Sequence, residues 1–128
     1  MTIAYWTVLI AALLPIVFAG IAKTGARDYD NRQPRAWLAG LEGWRQRANW
    51  AQNNMHEAFP PFAAAVIIAQ VAGGHQATIN ALACAYLLLR CAYGALYIAD
   101  RDLPRSLAWI GAMGCVIALF VTAAWSPA

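Results

Sequence analysis

The chain is predicted to be an all-α integral membrane protein, a four-helix bundle in a single domain over residues 1-128. Three observations carry this. The composition is 62% hydrophobic and only 12% charged across 128 residues, where a soluble domain of this size carries about 25% charge. Four apolar stretches are each long enough for a helix to cross the hydrocarbon core, which takes about 20 residues. The basic residues concentrate in two of the connections between those stretches.

The first span runs from about residue 3 to 22 and is uncharged. No basic residue precedes it, it contains Pro15 and it ends in Lys23, so it reads as a retained helix rather than a cleaved signal segment. The connection from Lys23 to Asn49 begins with a polar turn, GARDYDNRQP, rich in the residues that favour turn geometry. After Pro34, Trp37, Leu38, Leu41 and Trp44 follow helical spacing, which predicts a short amphipathic helix at headgroup level with tryptophans in the interfacial belt. The second span covers about residues 50–72. Gly73-Gly74-His75-Gln76 turns the chain into the third span, about 78–99, and Asp100 to Arg105 leads to the fourth, about 106–125. Such short connections predict antiparallel neighbours.

Lys23, Arg27, Arg32, Arg35, Arg45 and Arg47 lie in the first loop, and Arg101 and Arg105 in the third. The second loop and both ends lack Lys and Arg, so the positive-inside rule places loops one and three in the cytoplasm and both termini on the non-cytoplasmic side. Basic residues this close to membrane ends point to anionic headgroups or an anionic ligand, not to nucleic acid. Cys84, Cys91 and Cys115 fall inside apolar segments and read as small buried thiols. They form no disulfide framework and show no metal-ligand spacing.

Two charges break the apolar spans. An ionised side chain at bilayer centre costs about 2.5–3.5 kcal/mol on insertion scales, so such groups pair or line a cavity. Arg47, Asn54 and Glu57 share one helical face. Pro60 and Pro61 follow, which predicts a kink and leaves the carbonyls of His56 and Glu57 without helical donors. Asn54 fits an interhelical hydrogen bond or a ligand contact equally, whereas the Glu57 carboxylate points to function. Tyr86, Arg90, Tyr93 and Tyr97 form a stripe down the third span. Glu57 is the one acidic residue at Arg90's depth, so the two are expected to pair. Arg105 and Ser106 open the fourth span, with Asp102 as a candidate N-cap. That is either a seat for a carboxylate or thiolate or a basic flank that sets topology. His56 is expected in a helix–helix contact and His75 in a loop. The set as a whole would suit a small zwitterionic, peptide-like molecule.

These residues resemble the MAPEG family, the membrane-associated proteins of eicosanoid and glutathione metabolism. The resemblance rests on Arg47 followed by Asn54-x-x-Glu57-x-x-x-Pro61-Phe62, and on Arg90-x-x-Tyr93-x-x-x-Tyr97 with Arg105-Ser106 downstream. The motifs YDNRQPRAWL and RANWAQNNMHEAFPPFAAA look more like the bacterial branch, hence an inner-membrane protein. The resemblance implies a homotrimer with glutathione as co-substrate between neighbouring subunits. Asn54, Glu57, Tyr93, Tyr97, Arg105 and Ser106 would contact it, with Arg90 as the partner of Glu57. Arg47 belongs to the same binding set. Arg105, with Ser106, would stabilise the thiolate that attacks a lipophilic electrophile. Trp50 and Asn53 stand where the mammalian members often carry arginine. Two functions of different class follow: a glutathione-dependent membrane transferase or peroxidase, or a non-enzymatic lipid-binding or partner-presenting protein of the same fold. A proton or ion pathway is disfavoured, because no polar chain continues toward the outer half.

Overall fold

The computed structural model describes residues 1–126. Pro127 and Ala128, the last two positions of the expected domain, lie outside the described residues. Five helices follow one another: α1 (Ile3–Lys23), α2 (Pro34–Ala39), α3 (Gly43–Val71), α4 (Gln76–Ile98) and α5 (Asp102–Ala124). α3 packs against α1, α4 and α5, α4 packs against α1 and α5, and α2 rests on α3.

Among the described residues, three helices, α1, α4 and α5, are long and apolar enough to cross a membrane. α3 differs from the expected span. It starts at Gly43 rather than near residue 50 and spans 29 residues, about 44 Å at the usual helical rise. Its first half, GWRQRANWAQNNMHE, is polar, and its apolar half begins at Ala58. Pro60 and Pro61 lie inside one continuous helix. The lost donors still free the carbonyls one turn earlier.

Small side chains fill the contacts between helices. Ala4, Ala11, Ala65, Ala69, Ala83 and Ala112 are buried, while Trp6, Ile10, Leu13, Ile16, Leu88 and Ile117 face outward. That inversion suits helices in lipid, where close backbone approach, not removal of large apolar groups from water, drives association. The tightest approach is at Gly94, where an added Cβ would overlap the Phe18 ring and meet Met55 Cε at 2.9 Å. Phe62 and Tyr86 stack at 3.8 Å between centroids, and the Tyr86 hydroxyl donates to the Ala58 carbonyl at 3.3 Å.

Each end of the molecule is tied by polar groups. At the loop-one end, Arg45 Nη1 donates to the Ala22 carbonyl at 2.8 Å, and Arg47 Nε donates to the Ile98 carbonyl at 3.0 Å. Both acceptors belong to last-turn carbonyls that helices leave unpaired. At the other end, the Gln70 and Gln76 amides bond reciprocally at 2.9 and 2.8 Å. Thr2 Oγ1 donates to Gln70 Oε1 at 2.9 Å, and Gln76 Nε2 donates to Asn80 Oδ1 at 2.9 Å. This joins α1, α3 and α4 without charge.

The amphipathic helix of the first loop is shorter than expected. α2 stops at Ala39 with Gly40 as its C-cap, Glu42 is extended, and Gly43 takes φ +63°. This backbone favours glycine and turns the chain, so Trp44 falls on α3. The loop before α2 is ordered by aromatic contacts. Lys23 Nζ sits 4.6 Å over the Tyr29 ring, which meets Trp37 edge-on at 5.1 Å.

Gly94→Ala is expected to lower the thermal midpoint in detergent, since overpacking costs about 1–3 kcal/mol. Shortening Phe18 to Leu in that background should recover most of the loss. Gly20→Ala, where an added Cβ meets nothing within 4 Å, should leave the midpoint unchanged or slightly higher. Equal effects at Gly94 and Gly20 would contradict the packing described.

Candidate functional site

Arg90 is 2% exposed in the middle of α4, and the site is arranged around it. Its Nη2 donates to Asn54 Oδ1 at 2.7 Å, and its guanidinium carbon lies 4.3 Å over the Tyr93 ring. Tyr93 meets Tyr97 edge-to-face at 5.6 Å, and the Arg105 guanidinium lies 4.4 Å over Tyr97. Two rings thus lie between two cations from the interior outward: Arg90, Tyr93, Tyr97, Arg105. Each cation–ring contact contributes about 0.5–2 kcal/mol, more when water is excluded. Asn54 adds a hydrogen bond to a charged group, the stronger kind. Among the described residues, Arg90 Nε has no hydrogen-bond partner.

This arrangement corrects one expectation. Within the protomer Arg90 is held by Asn54 and not by Glu57, and Glu57 is exposed. Three residues along a helix displace a side chain by about 60° around the axis. Asn54 is thereby turned into the α3–α4 contact and Glu57 out of it. An amide dipole meets one edge of the buried guanidinium without the desolvation cost of a second buried charge, while Nε is left without a partner among the described residues.

Asn54, Tyr93 and Tyr97 form the ridge between two hollows. The first, about 410 Å³, is completed by Trp50, Asn53 and Glu57. The second, about 330 Å³, is completed by Arg105, Ser106, Trp109 and Ile110. One cleft thus carries a carboxylate in one lobe and a guanidinium in the other. The second lobe also has an indole and an isoleucine in its wall. Trp50 stands 6.3 Å from Tyr97 between ring centroids and gives the first lobe an aromatic side.

Of the residues singled out from sequence, Asn54, Glu57, Tyr93, Tyr97, Arg105 and Ser106 line this cleft, and Arg90 lies behind it. Arg47 does not line either lobe. It caps α4 through the Ile98 carbonyl. α5 begins at Asp102, a turn before the expected start, and Asp102 Oδ1 accepts from Leu103 N at 2.8 Å. Pro104 fits in that first turn because its missing donor has no helical partner there. The Arg105 N–H is already bonded to the Arg101 carbonyl at 3.1 Å. An anion here meets the Arg105 side chain rather than free backbone donors. His75 is the N-cap residue of α4, its Nδ1 3.0 Å from Thr78 Oγ1. Cys115 is buried, but Cys84 is half-buried and Cys91 exposed, so the three thiols do not share one core.

Trp109 and Ile110 were not read from sequence as site residues. Their signal was available: they lie about one helical turn after Arg105 and Ser106, on the same face.

Asn54→Leu is expected to lower stability by about 1–3 kcal/mol, the cost of leaving a buried polar group unpaired, and more if the guanidinium stays charged. Arg90→Leu in the same chain should recover part of that loss. A detergent unfolding cycle of the two singles and the double checks this. Strictly additive losses would show that the pair does not interact.

Residues 3–125 match the model of the MAPEG family, so the likeness extends over nearly the whole chain. No curated protein matches it.

Proposed function

Because the chain belongs to the MAPEG family, we propose that it is a glutathione-dependent membrane transferase or peroxidase acting on lipophilic electrophiles. The observation that carries this reading is the two-lobed cleft, with Glu57 in one lobe and Arg105, Ser106, Trp109 and Ile110 in the other. Glutathione is zwitterionic and peptide-like, and the donor set fits it. Glu57 accepts from its ammonium, Asn53 and Asn54 meet its amide and carboxylate groups, and Tyr97 and Arg105 lie toward its sulfur.

Glutathione supplies the thiol nucleophile. Arg105 favours the thiolate by placing a full positive charge beside it in a site of low dielectric. The Ser106 hydroxyl offers a further donor to the same sulfur. Trp109 and Ile110 form an apolar wall against which an electrophile from the bilayer is held. In a conjugation, the sulfur–carbon bond forms as the leaving group departs with its electron pair, and the thiol proton passes to solvent. Arg90 and Arg47 act on geometry. Arg90 fixes Asn54 and Tyr93, and Arg47 fixes the end of α4 that carries Tyr97.

The proposal includes a homotrimer of four-helix transmembrane bundles. Polar side chains turned outward on a membrane helix are costly, and exposed Asn53 and Glu57 on α3 support a neighbouring protomer closing the first lobe. Basic loops one and three support a bacterial inner-membrane protein with those loops in the cytoplasm and both termini on the other side.

A non-enzymatic lipid-binding or partner-presenting role is the second reading. It is favoured by the lack of a cation in the first lobe, where Trp50 and Asn53 stand. The two readings separate in one set of measurements. The detergent-purified protein should be stabilised by millimolar glutathione and should conjugate chlorodinitrobenzene or reduce a lipid hydroperoxide. Arg105→Ala should lower turnover by about 100-fold or more, in line with removal of one donor to a developing anion, without moving the thermal midpoint. Glu57→Gln should weaken glutathione binding by about 10-fold, the value of one charged hydrogen bond. No stabilisation by glutathione, with lipid retained in the cleft, would favour the second reading.

A further inference from the structure

A separate polar cavity of about 450 Å³ lies between α2 and α3, lined by Arg35, Leu38, Ala39, Asn49, Gln52, Asn53 and His56. It touches the cleft described above only through Asn53. No acidic residue lines it, and its two ionisable groups are Arg35 and His56. Asn49 is buried and ties the two helices together by donating Nδ2 to the Leu38 carbonyl at 3.4 Å. Gln52 Oε1 is fully buried, yet it has no hydrogen-bond partner among the described residues. Oε1 is closed off from the cavity in this rotamer, and a buried acceptor left unpaired costs about 1–3 kcal/mol, so turning the Gln52 side chain toward an occupant that brings a donor gives up no hydrogen bond.

The cavity's depth identifies the occupant. Trp44, just before the α3 residues of the cavity, and Trp50, among them, are 41% and 45% exposed, and the apolar half of the helix starts just beyond, at Ala58. Exposed tryptophans mark the headgroup region, and α2 carries Arg35 on a helix of the same layer. We propose that this cavity holds the headgroup of a glycerophospholipid whose phosphodiester is followed by a hydrogen-bond donor. The phosphate lies against Arg35 and His56. The ammonium or hydroxyl beyond it donates to Gln52 Oε1 once that side chain turns into the cavity. Arg35 sets affinity for the phosphate, and Gln52 sets the choice of headgroup. Neither assignment depends on glutathione binding in the neighbouring cleft.

The test compares two zwitterionic lipids of equal charge. Phosphatidylethanolamine carries a donor and phosphatidylcholine does not. In native mass spectrometry of the delipidated protein in detergent, phosphatidylethanolamine should bind about 10-fold more tightly, the value of one hydrogen bond to a charged donor. Gln52→Met should abolish that preference and, in lipid-free detergent, leave the thermal midpoint unchanged or higher. Arg35→Ala should weaken both lipids about equally. Three results would overturn the proposal: equal binding of the two lipids by the wild type, a preference that survives Gln52→Met, or soluble phosphoethanolamine competing as well as the lipid. Cross-linking of residues 35 and 52 to a second protomer in the membrane would also overturn it, by showing that protein covers the cavity.

Discussion

A guanidinium held inside a membrane helix needs acceptors, and the rest of this molecule is arranged around those that Arg90 finds. Water does not reach it, since the residue is 2% exposed. Lipid offers nothing, so the protein supplies a carbonyl dipole from Asn54 and the face of Tyr93. That requirement fixes the register of α3 against α4. Asn54 must face inward, which sends Glu57 outward and turns Tyr93 and Tyr97 toward the same opening. The cleft is the consequence. Its ridge consists of the residues that neutralise or flank Arg90, and its two lobes carry the charges left over, Glu57 and Arg105.

This division of labour separates structure from chemistry. Arg90 and Arg47 are occupied with internal acceptors, a side-chain amide and a helix-end carbonyl. Among the described residues, the Arg105 side chain is committed only to the face of a tyrosine, which a cation can hold while it also meets an anion. Glu57 has solvent access and no resolved partner in its own protomer. The two groups available to a ligand are therefore of opposite sign and stand on either side of the tyrosine ridge. This geometry suits a zwitterion with a reactive group at one end.

Much of the fold was legible because membrane helices declare themselves by length and lack of charge. The apolar runs near residues 3–22, 78–99 and 106–125 correspond to α1, α4 and α5. The second span was harder. α3 mixes a polar half with an apolar half, and composition alone could not reveal that one helix continues through both and through two prolines. The amphipathic helix was overextended because periodicity carried it through Gly40 and Gly43, which weaken the pattern and in the structure end α2 and turn the chain. At the site, residue type and spacing located Asn54, Glu57, Tyr93, Tyr97, Arg105 and Ser106. Pairing was not legible: sign alone favoured Glu57 for Arg90, whereas a rotation of about 60° around α3 favours Asn54. Arg47 shares a helical face with Asn54 but lies two turns away, where the nearest acceptor is the end of α4. Trp109 and Ile110 were not singled out, since one-dimensional spacing does not distinguish a cleft wall from a membrane face.

The central claim is that within the protomer Arg90 donates to Asn54 and not to Glu57, so that Glu57 is free to hold a ligand's ammonium. A structure of the detergent-purified protein with glutathione bound tests it most directly. The account predicts the γ-glutamyl ammonium within hydrogen-bond distance of the Glu57 carboxylate, with the Arg90 guanidinium still on Asn54 Oδ1. An Arg90–Glu57 ion pair in that structure, with the ammonium elsewhere, would contradict it.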